Sequence, residues 1–309
     1  MYVTAAQETT IPQADFAIIS GSSMFSIQFP EDLNRADIEM LATGLVFDTP
    51  YGESPEFKLF RQGDKRVLNV RMHGWRPNVV TRGVASQQLF WVLGQAGVKK
   101  IFVEGGVGSI NHLLELRDLV IPNDYIDNSM RKDVGLGGPY LLVMREAICP
   151  TQAAALTDAA RRHTAQSFVE EAQAEEGEQK SRTPRPRHVF DRGIYVNTDG
   201  RHFESPAEVQ MFRGWHGDIV GQSICPEVYL AREIGACYAG IYMVVNYAEG
   251  IIKDWDHKDL SDIFYGESQR IGHILLDALA GIDQEQNACN CLSLRKATLL
   301  KEIQDLDSK

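Results

Sequence analysis

Phe203 and Glu204 adjoin within the stretch Asp199 to Val209, D-G-R-H-F-E-S-P-A-E-V. An aromatic face beside an ionised carboxylate suits a flat heterocycle that carries ring N–H donors. Arg71 and His73 sit two apart after the apolar run Val67 to Val70. Side chains two apart on a strand project the same way. Together they could grip one phosphate, Arg by its planar fork and His by a ring N–H. Taken alone, the pair would equally read as a surface Arg and a satisfied His. Gly21-Ser22-Ser23 follows another apolar run, Ala14 to Ser20, and offers two hydroxyls where the backbone can approach an anion. The run Glu104-Gly105-Gly106-Val107-Gly108-Ser109 can turn amide N–H groups toward an oxyanion.

Elements must position these groups. Apolar runs predict buried strands at Ala14 to Gly21, Val67 to Val70, Lys100 to Val103, Asp118 to Asp127, Ile194 to Thr198 and Cys237 to Val245. A turn is expected over Glu104 to Ser109. Helical spacing covers Val84 to Ala96, Thr151 to about Ala174, Leu260 to about Leu279, and 292–306 as a terminal helix. Ser205-Pro206-Ala207-Glu208 reads as a helix start, with Ser as N-cap, Pro in the first turn and Glu near N3. Phe203 and Glu204 therefore fall between a strand and a helix, the edge of an α/β sheet where ligands bind. The glycine-bearing loop Asn128 to Pro139 could cap such a site or meet a neighbouring subunit.

Several separated motifs arrive in a fixed order: F-E-S-P-A-E, M-F-R, G-D-I-V-G-Q-S-I-C-P-E-V and A-R-E-I-G. They resemble the trimeric purine nucleoside phosphorylase and methylthioadenosine phosphorylase family, whose pattern runs F-[ES]-[ST]-x-A-E, G-A-D, [ST]-x-x-P-E and A-[RK]-x-x-G. The resemblance extends from about Asp15 to about Leu279. It implies a single α/β domain over 1–309, a twisted mixed β-sheet flanked by helices, assembled as a homotrimer or a hexamer. The implied reaction is phosphorolysis of a purine nucleoside to free base and ribose 1-phosphate, with inorganic phosphate as co-substrate and no cofactor or metal.

Residue by residue, the resemblance implies that Ser22, Arg71, His73, Gly106 and Ser223 hold phosphate. Phe203, Glu204 and Asn246 would bind the base, and Trp75, Gln222 and His257 the ribose. Asn246, His73 and Glu204 would carry catalysis. Ser23, Glu104, Gly105 and Gln222 depart from the family pattern. Asn246-Tyr247-Ala248 replaces the D-x-D of adenine-type enzymes and is similar to the 6-oxopurine and methylthioinosine versions. An Asn amide donates to N7 and O6 as it stands, and a Glu204 carboxylate accepts from the N1–H of hypoxanthine or guanine. His257 falls near the position that meets the 5′ end, where a His favours a polar group. Methylthioadenosine phosphorolysis, nucleoside hydrolysis, a nucleoside-processing enzyme of specialised metabolism and a non-catalytic nucleoside-binding protein stay open.

Composition bounds the rest. The chain has 309 residues, 44% hydrophobic and 24% charged, enough for one large α/β core. A formal net charge of −11 argues against nucleic-acid and anionic-membrane surfaces. No apolar run reaches the roughly 18 residues of a membrane span, and the N-terminus carries no signal pattern, so the cytoplasm is expected. Residues 170–188 read as a mobile insertion, an acidic run meeting K-S-R-T-P-R-P-R. The five cysteines include Cys289-Asn290-Cys291, with no second pair or His cluster nearby in sequence, so zinc is not expected there.

Overall fold

The computed structural model describes residues 10–72, 81–175, 187–283 and 288–300. In chain order the strands are β1 (Phe16–Ser20), β2 (Ile38–Leu45), β3 (Asp48–Thr49), β4 (Gly52–Glu53), β5 (Phe57–Gln62), β6 (Lys65–Arg71), β7 (Lys100–Ser109) and β8 (Leu119–Val120). They continue as β9 (Asp124–Asp127), β10 (Tyr140–Leu142), β11 (Val189–Phe190), β12 (Ile194–Asn197), β13 (Ile219–Gly221), β14 (Cys237–Tyr247) and β15 (Arg295–Ala297). The helices are α1 (Arg82–Gln95), α2 (Pro150–Glu175), α3 (Pro206–Gly214), α4 (Ile224–Glu233) and α5 (His257–Ala280).

One mixed sheet follows the order β11-β8-β14-β7-β1-β6-β5-β2, and β13 joins β12 and β9 to it by pairing with β7. The centre, β14-β7-β1-β6, is parallel. Its sequences explain this. Every residue of β1 and all of β14 except Tyr247 are buried, as expected of strands covered on both faces. The edge strand β2 instead alternates half-buried and exposed residues along most of its length.

Three helices are capped by side chains of the chain itself. Ser205 and Glu208 form a reciprocal capping box at α3. Thr81 accepts from the Val84 amide at α1, and Asp256 from the Lys258 and Asp259 amides at α5. Along α5, Ile263, Glu267, Ile271, Ile274, Leu275 and Ala278 are buried at helical spacing.

Several expectations need correction. Glu104 to Ser109 is not a turn. It continues β7, because β14 pairs with it all the way from Lys100 to Ser109 and supplies the partners that local propensity lacks. Asp118 to Asp127 is two strands, β8 and β9, separated by a segment containing Pro122, which cannot donate to a ladder. No helix starts at Leu292. Leu292–Leu294 is a 3-10 turn, and β15 then pairs antiparallel with β10, so sheet contacts override helical spacing; residues 301–309 lie outside the described residues. Of the segment 170–188, residues 170–175 complete α2, and 176–186 lie outside the described residues. Strands β2 and β5 were not anticipated.

The chain just past β1 approaches the middle of β7 so closely that Gly21 has no room for a side chain. A Cβ there would fall well inside van der Waals contact of the Glu104 carbonyl oxygen, a backbone atom that cannot swing away. Gly21→Ala should therefore cost about 2 kcal/mol or more of stability. A lowered urea midpoint with an unchanged slope checks this, and a wild-type midpoint contradicts it.

Candidate active site

A cavity of about 650 Å3 opens at the C-terminal ends of β1, β7 and β14. That size and position suit a small-molecule site at an α/β sheet edge. Ser22, Gly106, Phe203, Glu204, Gln222, Ser223 and Asn246 all line it. These seven come from chain positions up to 224 residues apart (246 − 22) and meet in one place.

At one end sits a hydroxyl and amide cluster. Ser22 lies in the 3-10 turn Ser22–Met24, and its Oγ accepts from the Gly106 amide at 2.8 Å. A Cβ on Gly105 would lie 3.6 Å from Ser223 Oγ, so the two serines border adjacent glycines of β7. The Tyr195 hydroxyl fixes Ser223, lying 3.2 Å from its Oγ and accepting from its amide at 3.3 Å.

Glu104 points beneath this cluster. Its carboxylate accepts from the Gly21 amide at 2.5 Å and the Ser23 amide at 3.0 Å, tying down the turn that presents Ser22. Burial pushes its pKa up to about 7, only partly offset by those hydrogen bonds. Its negative charge above that pH opposes an anion in the cluster.

One positive group facing the cavity, besides Arg201, is Arg82, at the start of α1. It donates to the Met72 carbonyl at 3.1 Å and to Glu227 Oε1 at 2.5 Å. Its Nε is buried with no hydrogen-bond partner among the described residues. Burial raises the Glu227 pKa, and Arg82 works against that shift.

Arg71 is not brought to this cavity. Its guanidinium donates to the Phe25 and Ile27 carbonyls, both at 3.0 Å, so it braces the loop behind Ser22. Strand alternation gives the cavity Met72 instead. His73 and Trp75 lie outside the described residues.

The other end is built for a flat polar ligand. Phe203 is 48% exposed and packs against Trp255, centroids 5.1 Å apart. Glu204 is buried, and one carboxylate oxygen accepts from the Thr198 hydroxyl at 2.6 Å. Asn246 follows a register shift in β14, the kind of bulge that re-aims a side chain. Its amide donates to the Tyr247 carbonyl at 3.0 Å. Gln222 donates to the His202 carbonyl at 3.1 Å and lies against Gly200, whose φ of +87° favours glycine.

His257 is exposed and does not line the cavity; Leu260 and Phe264, one and two turns further along α5, do. Positions 257, 260 and 264 share one face of α5; His257 misses the cavity because it is the exposed first residue of the helix, beyond the cavity's edge. Sequence reasoning missed these two residues, Arg82 and Arg131. Arg131 donates to the Thr198 carbonyl and, at 3.2 Å, to the Gln222 carbonyl, so it joins the two segments that carry Glu204 and Ser223. One signal was available for Arg82: a cation in the first turn of a helix opposes the dipole and needs a partner.

Comparison with known proteins gives the lineage. The family model described as the phosphorylase superfamily matches residues 17–280. The chain belongs to the phosphorylase superfamily. A 6-oxopurine nucleoside phosphorylase of Pyrococcus furiosus is 29% identical over 286 residues, covering 89% of this chain and 95% of that protein. A probable S-methyl-5′-thioinosine phosphorylase of Methanopyrus kandleri is 32% identical over 219 residues, covering 70% and 76%. Among solved structures, a methylthioadenosine phosphorylase from an antarctic soil metagenomic library superposes with a TM-score of 0.74 at 21% identity over 94% of both chains, a likeness of fold.

For this phosphorylase-superfamily member the Glu104 geometry predicts a pH effect. Sulfate keeps its charge between about pH 6 and about pH 8, whereas Glu104 ionises across that window. Sulfate affinity should fall by about ten-fold over this range, and less steeply in Glu104→Gln. Equal slopes in wild type and variant, measured by calorimetric titration, would remove Glu104 from the anion site.

Proposed function

We propose that the protein is a purine nucleoside phosphorylase acting on 6-oxopurine nucleosides, with a 5′-methylthio substituent preferred. The observation that carries this reading is the pairing, across one cavity, of the Glu204 and Asn246 side chains with the Ser22, Gly106 and Ser223 cluster. The first pair matches the N1–H and the N7/O6 edge of hypoxanthine or guanine. The second offers donors to a phosphate.

Cleaving the N-glycosidic bond builds positive charge on the sugar and negative charge on the departing base. A phosphate held below C1′ stabilises the first and supplies the nucleophile; Asn246 donating to N7 stabilises the second. Glu204 holds the base in register, and Phe203 covers one face of it. Arg82 adds positive charge toward the phosphate, while His73 and Arg71, read from sequence as phosphate ligands, divide: Arg71 acts by bracing the Ser22 turn. Phosphate is consumed as co-substrate, and no organic cofactor takes part. Leu260 and Phe264, in place of His257, give the α5 wall an apolar surface on which a methylthio group would be buried. Relatives named as probable methylthioinosine phosphorylases support that preference. The working enzyme is a homotrimer, the state that goes with this family resemblance.

Turnover of inosine, guanosine, adenosine, methylthioinosine and methylthioadenosine, each with and without phosphate, tests the proposal. Methylthioinosine and inosine should release hypoxanthine only with phosphate. Base release at the same rate without phosphate would make the protein a hydrolase. Asn246→Ala should lower kcat by about 10²–10³ with the phosphate KM little changed, and full activity in that variant would sink the assignment of the leaving-group donor.

A further inference from the structure

Four of the five cysteines meet at one place away from the cavity. Cys149 directly precedes α2, Cys237 opens β14, and Cys289 and Cys291 come from the C-terminal segment. Their Sγ atoms all lie within 4.8 Å of one another, with Cys237 and Cys289 at 3.5 Å. Cys149, Cys237 and Cys291 are buried and Cys289 is half-buried. The sequence expectation of no metal rested on the isolation of Cys289-Asn290-Cys291 along the chain. The fold overturns that ground by bringing two more thiols from 140 and 52 residues away (289 − 149 and 289 − 237).

We propose that Cys149, Cys237, Cys289 and Cys291 form a structural zinc site that fastens the C-terminal segment to the sheet. Four thiolates about 2.3 Å from one ion stand about 3.8 Å apart along the edges of a tetrahedron. The observed spacing needs only small side-chain movements to reach that figure. An all-sulfur tetrahedral set selects zinc among the common divalent ions, and four protein ligands leave no open position for chemistry.

Binding converts four thiols to thiolates and releases their protons, leaving a net charge of −2 on the centre. The surroundings suit that charge. The Cys149 carbonyl accepts from the Ala153 amide, which places this residue at the N-terminal end of the long helix α2, where the dipole favours an anion. Arg232 donates to the Cys291 carbonyl at 2.8 Å and the Glu146 carbonyl at 2.6 Å, holding a cation beside the ligand loops.

The site would join three parts of the chain. Beyond Cys291, the described segment has a 3-10 turn and the three-residue strand β15 on β10. The ion would anchor this segment to the first residue of β14, whose other end carries Asn246. The assignment is independent of the reading of the cavity.

The test is elemental analysis of the full chain, purified under reducing conditions without added metal. About one zinc per chain is expected. Cys291→Ser and Cys149→Ser should lose it, while Cys225→Ser, the fifth cysteine, should keep it. Exchange with cobalt should give thiolate-to-metal charge transfer and the visible bands of a tetrahedral centre, which does not depend on any variant folding. Protein that carries no zinc and takes up no cobalt overturns the proposal. So does a chain alkylated at lysis whose mass reveals two disulfides among these four residues.

Discussion

The cavity depends on a strand whose second half is mostly glycine. Strand β7 lies between β1 and β14, and its backbone forms the floor on which both ends of the site rest. Each glycine makes room for a different wall. A Cβ on Gly105 would meet the Tyr242 ring at 3.3 Å, and one on Gly106 would meet Ser22 Oγ at 2.9 Å and Phe264 at 3.0 Å. On Gly108 it would meet the Asn246 amide nitrogen at 3.4 Å. One bare stretch of backbone thus sets the distance between the hydroxyl cluster and the base-facing amide. Parallel pairing with β14, joined by antiparallel β13 at Gly108, keeps these glycines extended although their own propensity is low.

Charge is the second constraint. Glu104 and Glu227 are buried beside the cavity, and each survives through specific partners. Glu104 rests on two backbone amides, and Glu227 on Arg82 and the Tyr238 hydroxyl at 3.1 Å. Removing one partner from such an arrangement leaves a buried charge uncompensated, which costs more than the contact itself contributed. The carboxylates hold the backbone and the arginine in place, and the hydroxyls and amides between them are left to meet the ligand. Arg131 does similar work at the other end, on the Thr198 and Gln222 carbonyls and in an ion pair with Asp199 at 3.2 Å.

The central strands and the helices were legible because burial on both faces and helical spacing leave strong patterns. Residues at strand ends were legible too: Ser22, Phe203, Glu204, Ser223 and Asn246 all reach the cavity. Four features were not. Glycines 105, 106 and 108 read as a turn because only a partner strand makes them extended. Arg71 read as a phosphate ligand because strand alternation fixes which side a residue faces, not whether nearby carbonyls claim its donors first. The cysteine cluster was invisible because Cys149 and Cys237 approach Cys291 only through the tertiary fold. Side chains on α5 were missed by a few residues: position 257 shares a face with Leu260 and Phe264, yet it starts the helix, and the cavity wall begins one turn later.

The central claim is that one small anion and one flat base occupy opposite ends of a glycine-floored cleft. A crystal structure of the protein with phosphate and hypoxanthine tests it most directly. The account predicts phosphate oxygens within hydrogen-bond reach of Ser22 Oγ, the Gly106 amide and Ser223 Oγ, with hypoxanthine between Phe203, Glu204 and Asn246. Phosphate bound outside that cluster, or hypoxanthine bound without touching Glu204 and Asn246, would contradict it.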